Sequence, residues 1–132
     1  MVLVDTNVLA YLFIEGDHTA AAQNLYARDA DWQSEAFVLV ELTNILTTYT
    51  RTGALTREQG AKLLAEAETL LPLLPSVSHQ EAYEAAVEFG ISAYDARFIA
   101  LARQMKSKLV TEDAKLRKAV PAWTVSLSES LA

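Results

Sequence analysis

Four carboxylic acids stand out by their surroundings. Asp5 comes directly after the apolar run Val2, Leu3, Val4 and is followed by Thr6 and Asn7; Asp113 comes in the same way after Leu109, Val110 and Thr111. If both runs are parallel strands, both acids emerge at the C-terminal edge of a sheet, where open α/β folds bind their ligands. The local alternative for each is a helix N-cap, and the flanking residues leave both open. Glu41 sits inside a helical pattern whose apolar side is Phe37, Val38, Leu42, Ile45, Leu46 and Tyr49. At about 100° per residue it falls within that stripe rather than opposite it. An acid there must be paired, protonated or metal-bound, because burying it alone costs several kcal/mol or more, unless it lies at the stripe's edge and reaches out. Asp95 completes Ser92-x-x-Asp95, a capping pattern that by itself explains an acid at that position. Its helix, however, has an apolar side of Tyr94, Phe98, Ile99 and Ala102 suited to dock on a sheet.

Taken jointly the acids pose an electrostatic problem. Two unit charges about 4 Å apart at an effective dielectric near 20 repel by roughly 4 kcal/mol, so four clustered carboxylates need counter-cations to stay ionised. A divalent metal is the natural one. With no cysteine and only His18 and His79, both in surface-type contexts, the ligands would be oxygens, which favours Mg²⁺ or Mn²⁺ over zinc.

The elements that must carry these acids can be read from pattern and punctuation. Val2–Val4 is a short strand, and Asp5 or Thr6 caps a helix through Leu12. Residues 15–17 break it, and a helix resumes from Thr19 to Ala27. Asp31–Gln33 reads as a weak second strand. Ser34 has the character of an N-cap for a helix reaching Arg51, which Gly53 ends. Three further helix starts carry capping patterns: Thr56 with Gln59, Ser78 with Glu81, and Ser92 with Asp95. Pro72 and Pro75 close the first of these helices and Gly90 the second. Leu109–Thr111 reads as a strand, Ala114–Ala119 as a short helix and Trp123–Leu127 as a last strand. Strands alternating with helices imply right-handed crossovers, a mainly parallel sheet and helices on both faces.

Composition limits the class of protein. The chain has 132 residues, 52% hydrophobic and 21% charged, which fits one globular domain, 1–132, rather than a disordered chain. The lack of cysteine, of a basic leader before an apolar core and of a membrane-length apolar run leads to the expectation of a cytoplasmic protein. The net charge of −6 is unevenly spread: residues 1–96 hold 4 basic and 14 acidic side chains, residues 97–132 hold 7 basic and 3 acidic ones. Solvated helix faces are the commoner meaning of such a run, and a grip on a polyanion is the other.

Asp5-Thr6-Asn7 after the first strand, Glu41 in a mid-chain helix, Asp95 in SAYDARFIALA and Asp113 in LVTEDAKL together resemble the PIN-domain family, and more narrowly the toxin ribonucleases of VapBC-type toxin–antitoxin pairs. The resemblance runs from Met1 to about Leu127. It implies a three-layer α/β/α sandwich with a mainly parallel central sheet and a metal-dependent endoribonuclease using Mg²⁺ or Mn²⁺. It also implies homodimerisation and a VapB-type antitoxin that covers the active site. Asp5, Glu41, Asp95 and Asp113 match the family's acidic quartet, with Asp5 and Asp113 as the direct metal ligands and Glu41 and Asp95 binding metal or orienting water. Thr6, Asn7 and Thr111 match its polar positions and would support the ligands or touch phosphate. Where many relatives carry a further acid and an aromatic after the fourth Asp, this chain has Lys115 and Leu116. Arg97, Lys108, Lys115, Arg117 and Lys118 flank the third and fourth acids and are the candidate RNA contacts. Two rival readings remain. A haloacid-dehalogenase-like phosphatase also places an Asp after its first strand but needs a second two residues on, where this chain has Asn7. A non-catalytic binding module of PIN-like fold is the other.

Overall fold

The computed structural model describes every residue from Met1 to Ala132. Val2–Val4 forms β1, whose Leu3 and Val4 are fully buried, and Thr6–Phe13 forms α1 immediately after it. α2 (Thr19–Arg28) leads to β2 (Trp32–Gln33), then α3 (Phe37–Arg51) and α4 (Arg57–Leu70). An extended stretch leads into α5 (His79–Phe89) and α6 (Ala93–Met105), followed by β3 (Leu109–Val110) and α7 (Ala114–Ala119). A 3-10 turn at Pro121–Trp123, β4 (Thr124–Val125) and α8 (Leu127–Leu131) complete the chain.

All strand pairings are parallel, in the order β2-β1-β3-β4. The chain therefore leaves β1 toward one side to make β2 and returns to the other side to make β3. That reversal puts a crevice at the C-terminal ends of β1 and β3, the usual ligand position in such sheets. The Asp5 N–H donates to the Val110 carbonyl at 3.3 Å, so the ends of the two strands are stitched together where the acids begin. Helices cover the sheet in a three-layer α/β/α arrangement around a core of 25 buried residues, including Leu3, Leu9, Leu42, Ile99, Leu101 and Leu109. No helix is long and apolar enough to cross a membrane.

Two expectations need correcting. Ser34 does not cap α3. Its side chain is fully buried and donates to the Val4 carbonyl at 2.7 Å, tying the end of β2 to β1, and α3 starts three residues later. The first free N–H of α3, that of Phe37, is met instead by the carboxylate of Glu35 at 2.6 Å. The second correction is at the C-terminus, where the expected strand Trp123–Leu127 is reduced to Thr124–Val125. Ser126 then caps α8, its hydroxyl accepting the Glu129 N–H while the Glu129 carboxylate accepts the Ser126 N–H. The Ser126-x-x-Glu129 pattern is a helix start, and it outweighs the β-branched residues before it.

Candidate active site

Asp5, Glu41, Asp95 and Asp113 all line one open cleft of about 590 Å³, together with Thr6, Asn7, Asn44 and the apolar side chains of Phe37, Val40, Ile45, Tyr94 and Phe98. The cleft lies at the crevice between β1 and β3. Two of the acids come from loops after those strands, one from the second turn of α3 and one from the first turn of α6. No Lys, Arg or His lines it.

Asp5 and Asp113 act as helix caps as well as facing the cleft. The Oδ1 of Asp5 accepts the Val8 N–H at 3.0 Å and caps α1; the Oδ1 of Asp113 accepts the Lys115 and Leu116 N–H groups at 3.0 and 3.1 Å and caps α7. A carboxylate has two oxygens, so one can orient the group on backbone while the other remains for a ligand. The alternatives of cap and ligand are thus compatible in geometry. Asp95 tops α6, where the Ser92 hydroxyl accepts its N–H at 3.0 Å. Glu41 is half-buried in the stripe made by Val38, Leu42 and Leu46, and its Oε1 accepts the Thr6 hydroxyl at 2.6 Å. That bond links α1 to α3 and aims Glu41 at the acid cluster.

The electrostatics are those of a site short of positive charge. Burial pushes the Asp5 carboxyl up to about 6, with Asp95 and Glu41 adding to the rise and hydrogen bonds from Thr111 and Val8 opposing it. Asp95 is raised as well, first by burial and then by the charge of Asp113, against a hydrogen bond from Ser92. Asp5 thus feels Asp95 and Glu41, and Asp95 feels Asp113, while no cationic side chain lines the cleft to answer them. This donor set fits a hard divalent ion. No three of the carboxylates are gathered tightly enough to grip one ion directly.

Residues 2–120 match the sequence model of the PIN domain. The chain belongs to the PIN domain family. It is similar to ribonuclease VapC3 of Pyrobaculum aerophilum, 26% identical over 124 residues, which span 91% of this chain and 95% of that protein. Among solved structures, PAE2754 from Pyrobaculum aerophilum superposes with a TM-score of 0.78 at 22% identity, covering 96% of this chain and 89% of the other. FitAcB from Neisseria gonorrhoeae superposes with a TM-score of 0.65 at 19% identity, covering 96% of both chains. These two likenesses establish the fold, the three-layer sandwich expected from the sequence.

The expected RNA contacts of this PIN domain divide into two groups. Arg97 is not a free cation. Its Nε and Nη2 lie 2.9 and 2.8 Å from Oε2 of Glu35, its Nη2 donates to the Val77 carbonyl and the Ser76 hydroxyl at 2.9 and 3.1 Å, and its side chain is 13% exposed. Arg117 is folded back likewise, its Nη1 donating to the Thr111 carbonyl at 2.9 Å and standing 3.7 Å from Glu112. Both guanidinium groups hold the PIN domain's own backbone and carboxylates in place of phosphate. Lys115 and Lys118 are exposed on α7 beside Asp113, and Lys108 is exposed at the opposite end of β3 from that acid. Thr111 is buried, and its hydroxyl accepts the Asp113 N–H at 3.1 Å, while Asn7 is exposed at the cleft wall.

Sequence reasoning missed Glu35. It is fully buried, accepts N–H bonds from Phe37 and Val77, and pairs with Arg97. The partners are 62 residues apart, and no local pattern announces such a pair. Asn44 was also missed, although its place one turn after Glu41 on the same helix face was available as a signal.

Proposed function

We propose that this PIN domain is a Mg²⁺- or Mn²⁺-dependent endoribonuclease, the toxin of a type II toxin–antitoxin pair. The observation that carries the reading is the convergence of four acids from four distant segments on one cleft that contains no cationic side chain. The similarity to a protein named ribonuclease VapC3 supports the choice of RNA as substrate. Asp5 and Asp113 would hold the metal, with Glu41 and Asp95 completing the carboxylate set or orienting water. Bound there, the ion supplies a water of lowered pKa and positive charge against the developing negative oxygen.

The chain's own residues do the remaining work. Helix caps fix the ring of Oδ1 contacts that point Asp5 and Asp113, and Thr6 fixes Glu41. Burial of Asp5 and partial burial of Glu41 and Asp95 leave these carboxylates less screened by bulk water and in want of a counter-charge. Asn7 and Asn44 offer uncharged donors where an approaching phosphodiester would be repelled by more acid. Lys115 and Lys118 stand beside the fourth acid as grips for flanking phosphates. Hydrolysis joins a water oxygen to phosphorus and breaks the bond to the 3′ oxygen, which takes up a proton, so the products are a 5′-phosphate and a 3′-hydroxyl. A VapB-type antitoxin, a homodimer, a single-domain chain and a cytoplasmic setting belong to the same proposal.

The direct test is an RNA cleavage assay with Mg²⁺ or Mn²⁺ on the parent and on Asp5→Ala, with the cut ends mapped. Metal-dependent cleavage lost in the variant, leaving 5′-phosphates, is the expected result. Cleavage that survives a chelator, or an unimpaired variant, overturns the assignment.

A further inference from the structure

Tyr94 is an unusual residue to find where it is. It stands one position before Asp95, lines the acid cleft, and is 62% exposed, so core packing does not account for it. Phe37, at the start of α3, stacks against it with ring centroids 5.4 Å apart and planes 14° from parallel. Near-parallel rings at that separation are an offset stack, which holds both rings in place. Phe37 is itself anchored, since its N–H bonds the buried carboxylate of Glu35. The result is a fixed aromatic ledge with much of one ring open to solvent.

On the far side of the ledge lies a second groove of about 540 Å³, sharing Phe37, Val40 and Tyr94 with the acid cleft and lined also by Ala82, Ala86 and the exposed Tyr83. Its only cation, Arg97, is turned away onto Glu35 and Val77. The groove therefore has little to hold a phosphate beyond the side chains of Ser76 and His79. It offers an apolar lining and an aromatic face, which suits the flat, weakly hydrated surface of a nucleobase. Single-stranded RNA is commonly held by bases stacked on exposed aromatic side chains, with the backbone held separately.

We infer that the Phe37–Tyr94 ledge is a nucleobase subsite, on which a base flanking the scissile phosphate of single-stranded RNA stacks. The inference rests on the ribonuclease reading and deepens it: the acids and metal act on phosphate, and the ledge sets which nucleotide lies beside the cut. Phe37 positions Tyr94, and Tyr94 makes the contact. Stacking tolerates any base, so the ledge contributes affinity and register, with a preference for larger bases, rather than a strict sequence code.

The test compares Tyr94→Ala, Tyr94→Phe and Tyr94→Trp on a short oligoribonucleotide that the parent cleaves, with and without an abasic residue at each position beside the cut. RNA binding is measured in parallel by fluorescence anisotropy in an Asp113→Asn background, which removes turnover. The expected result is that Tyr94→Ala weakens binding and raises KM about five- to a hundredfold. The rate for bound RNA stays close to the parent's, and Phe and Trp restore binding. One abasic position should make the parent as weak as Tyr94→Ala and leave that variant no weaker. Unchanged binding by Tyr94→Ala overturns the subsite, as does an equal loss on abasic and intact RNA. A variant that handles RNA normally and loses only a protein partner overturns it too, and gives the ledge to that partner. If the parent neither binds nor cuts RNA, the ribonuclease reading falls and the ledge with it, whereas normal cleavage by Tyr94→Ala removes the ledge alone.

Discussion

Glu35 and Asp5 are two buried acids at the ends of neighbouring parallel strands, and they have opposite surroundings. Glu35, fully buried just after β2, has an arginine against one oxygen and backbone N–H groups on both. Asp5, 9% exposed just after β1, has hydrogen bonds from Val8 and Thr111 but three further acids and no cation in its cleft. The first is complete as it stands and joins the start of α3 to α6 and the segment before α5. The second is complete only with a positive charge brought from outside. Burial of an acid is common to both, so burial alone does not mark a functional site; the missing partner does.

The largest effect should come from breaking the complete one. Arg97→Ala leaves the Glu35 charge buried and unanswered, and is expected to lower the unfolding free energy by about 3–5 kcal/mol in urea titrations. The double variant Glu35→Gln/Arg97→Met should lose clearly less, because no charge is stranded. At Asp5 the expected sign is reversed. Its carboxyl is raised from 3.8 to about 6 in the fold, a difference that corresponds to about 3 kcal/mol carried as a penalty by the metal-free protein above pH 6. The unfolded chain binds the proton less tightly, so metal-free stability should rise as pH falls through 6 toward 4, with Asp95 acting in the same direction. Asp5→Asn should flatten that rise in melting-temperature measurements. The same variant should lose Mn²⁺ affinity by at least the 10- to 100-fold, roughly, that outer-shell losses cause. In the parent, Mn²⁺ binding by calorimetry should weaken below about pH 6, where protons compete for Asp5.

A smaller effect is expected at Thr6→Val, which removes the 2.6 Å bond to Glu41. A hydrogen bond to a charged group contributes about 1.5 kcal/mol or more, and losing it frees Glu41 to rotate, so metal affinity should fall roughly tenfold with the fold intact. The smallest effect concerns Lys115 and Lys118. If they grip phosphates, the steep loss of RNA binding with salt should become shallower by about 0.7 in logarithmic slope for each lysine replaced by alanine. An unchanged slope assigns them to solvent.

The difference between Glu35 and Asp5 also explains what the sequence could tell. Asp5, Asp113 and Asp95 lie beside strand ends and caps, features written within a few neighbouring residues, and Glu41 breaks a helical stripe that spans one element. Their contexts were legible, as were the helices ended by Gly53, Gly90 and Pro72. The Glu35–Arg97 pair depends on the third dimension, so Ser34 attracted the role of cap that the Glu35 side chain fills, and Arg97 was counted as a free cation. The ends of β4 were misjudged for a different reason. Thr124 and Val125 favour a strand, but the Ser126 and Glu129 pair begins a helix immediately afterwards, and a reciprocal cap prevails over β propensity in so short a segment.

The pairing of β1 with β3 has a consequence in time. The first strand pairs with β2 soon after it is made, but its second neighbour begins at residue 109, and the fourth acid follows at 113. A growing chain on the ribosome holds three of the acids without the strand that brings the last to them. On the ribonuclease reading, the four-acid site stays incomplete until the residues through Asp113 have been made.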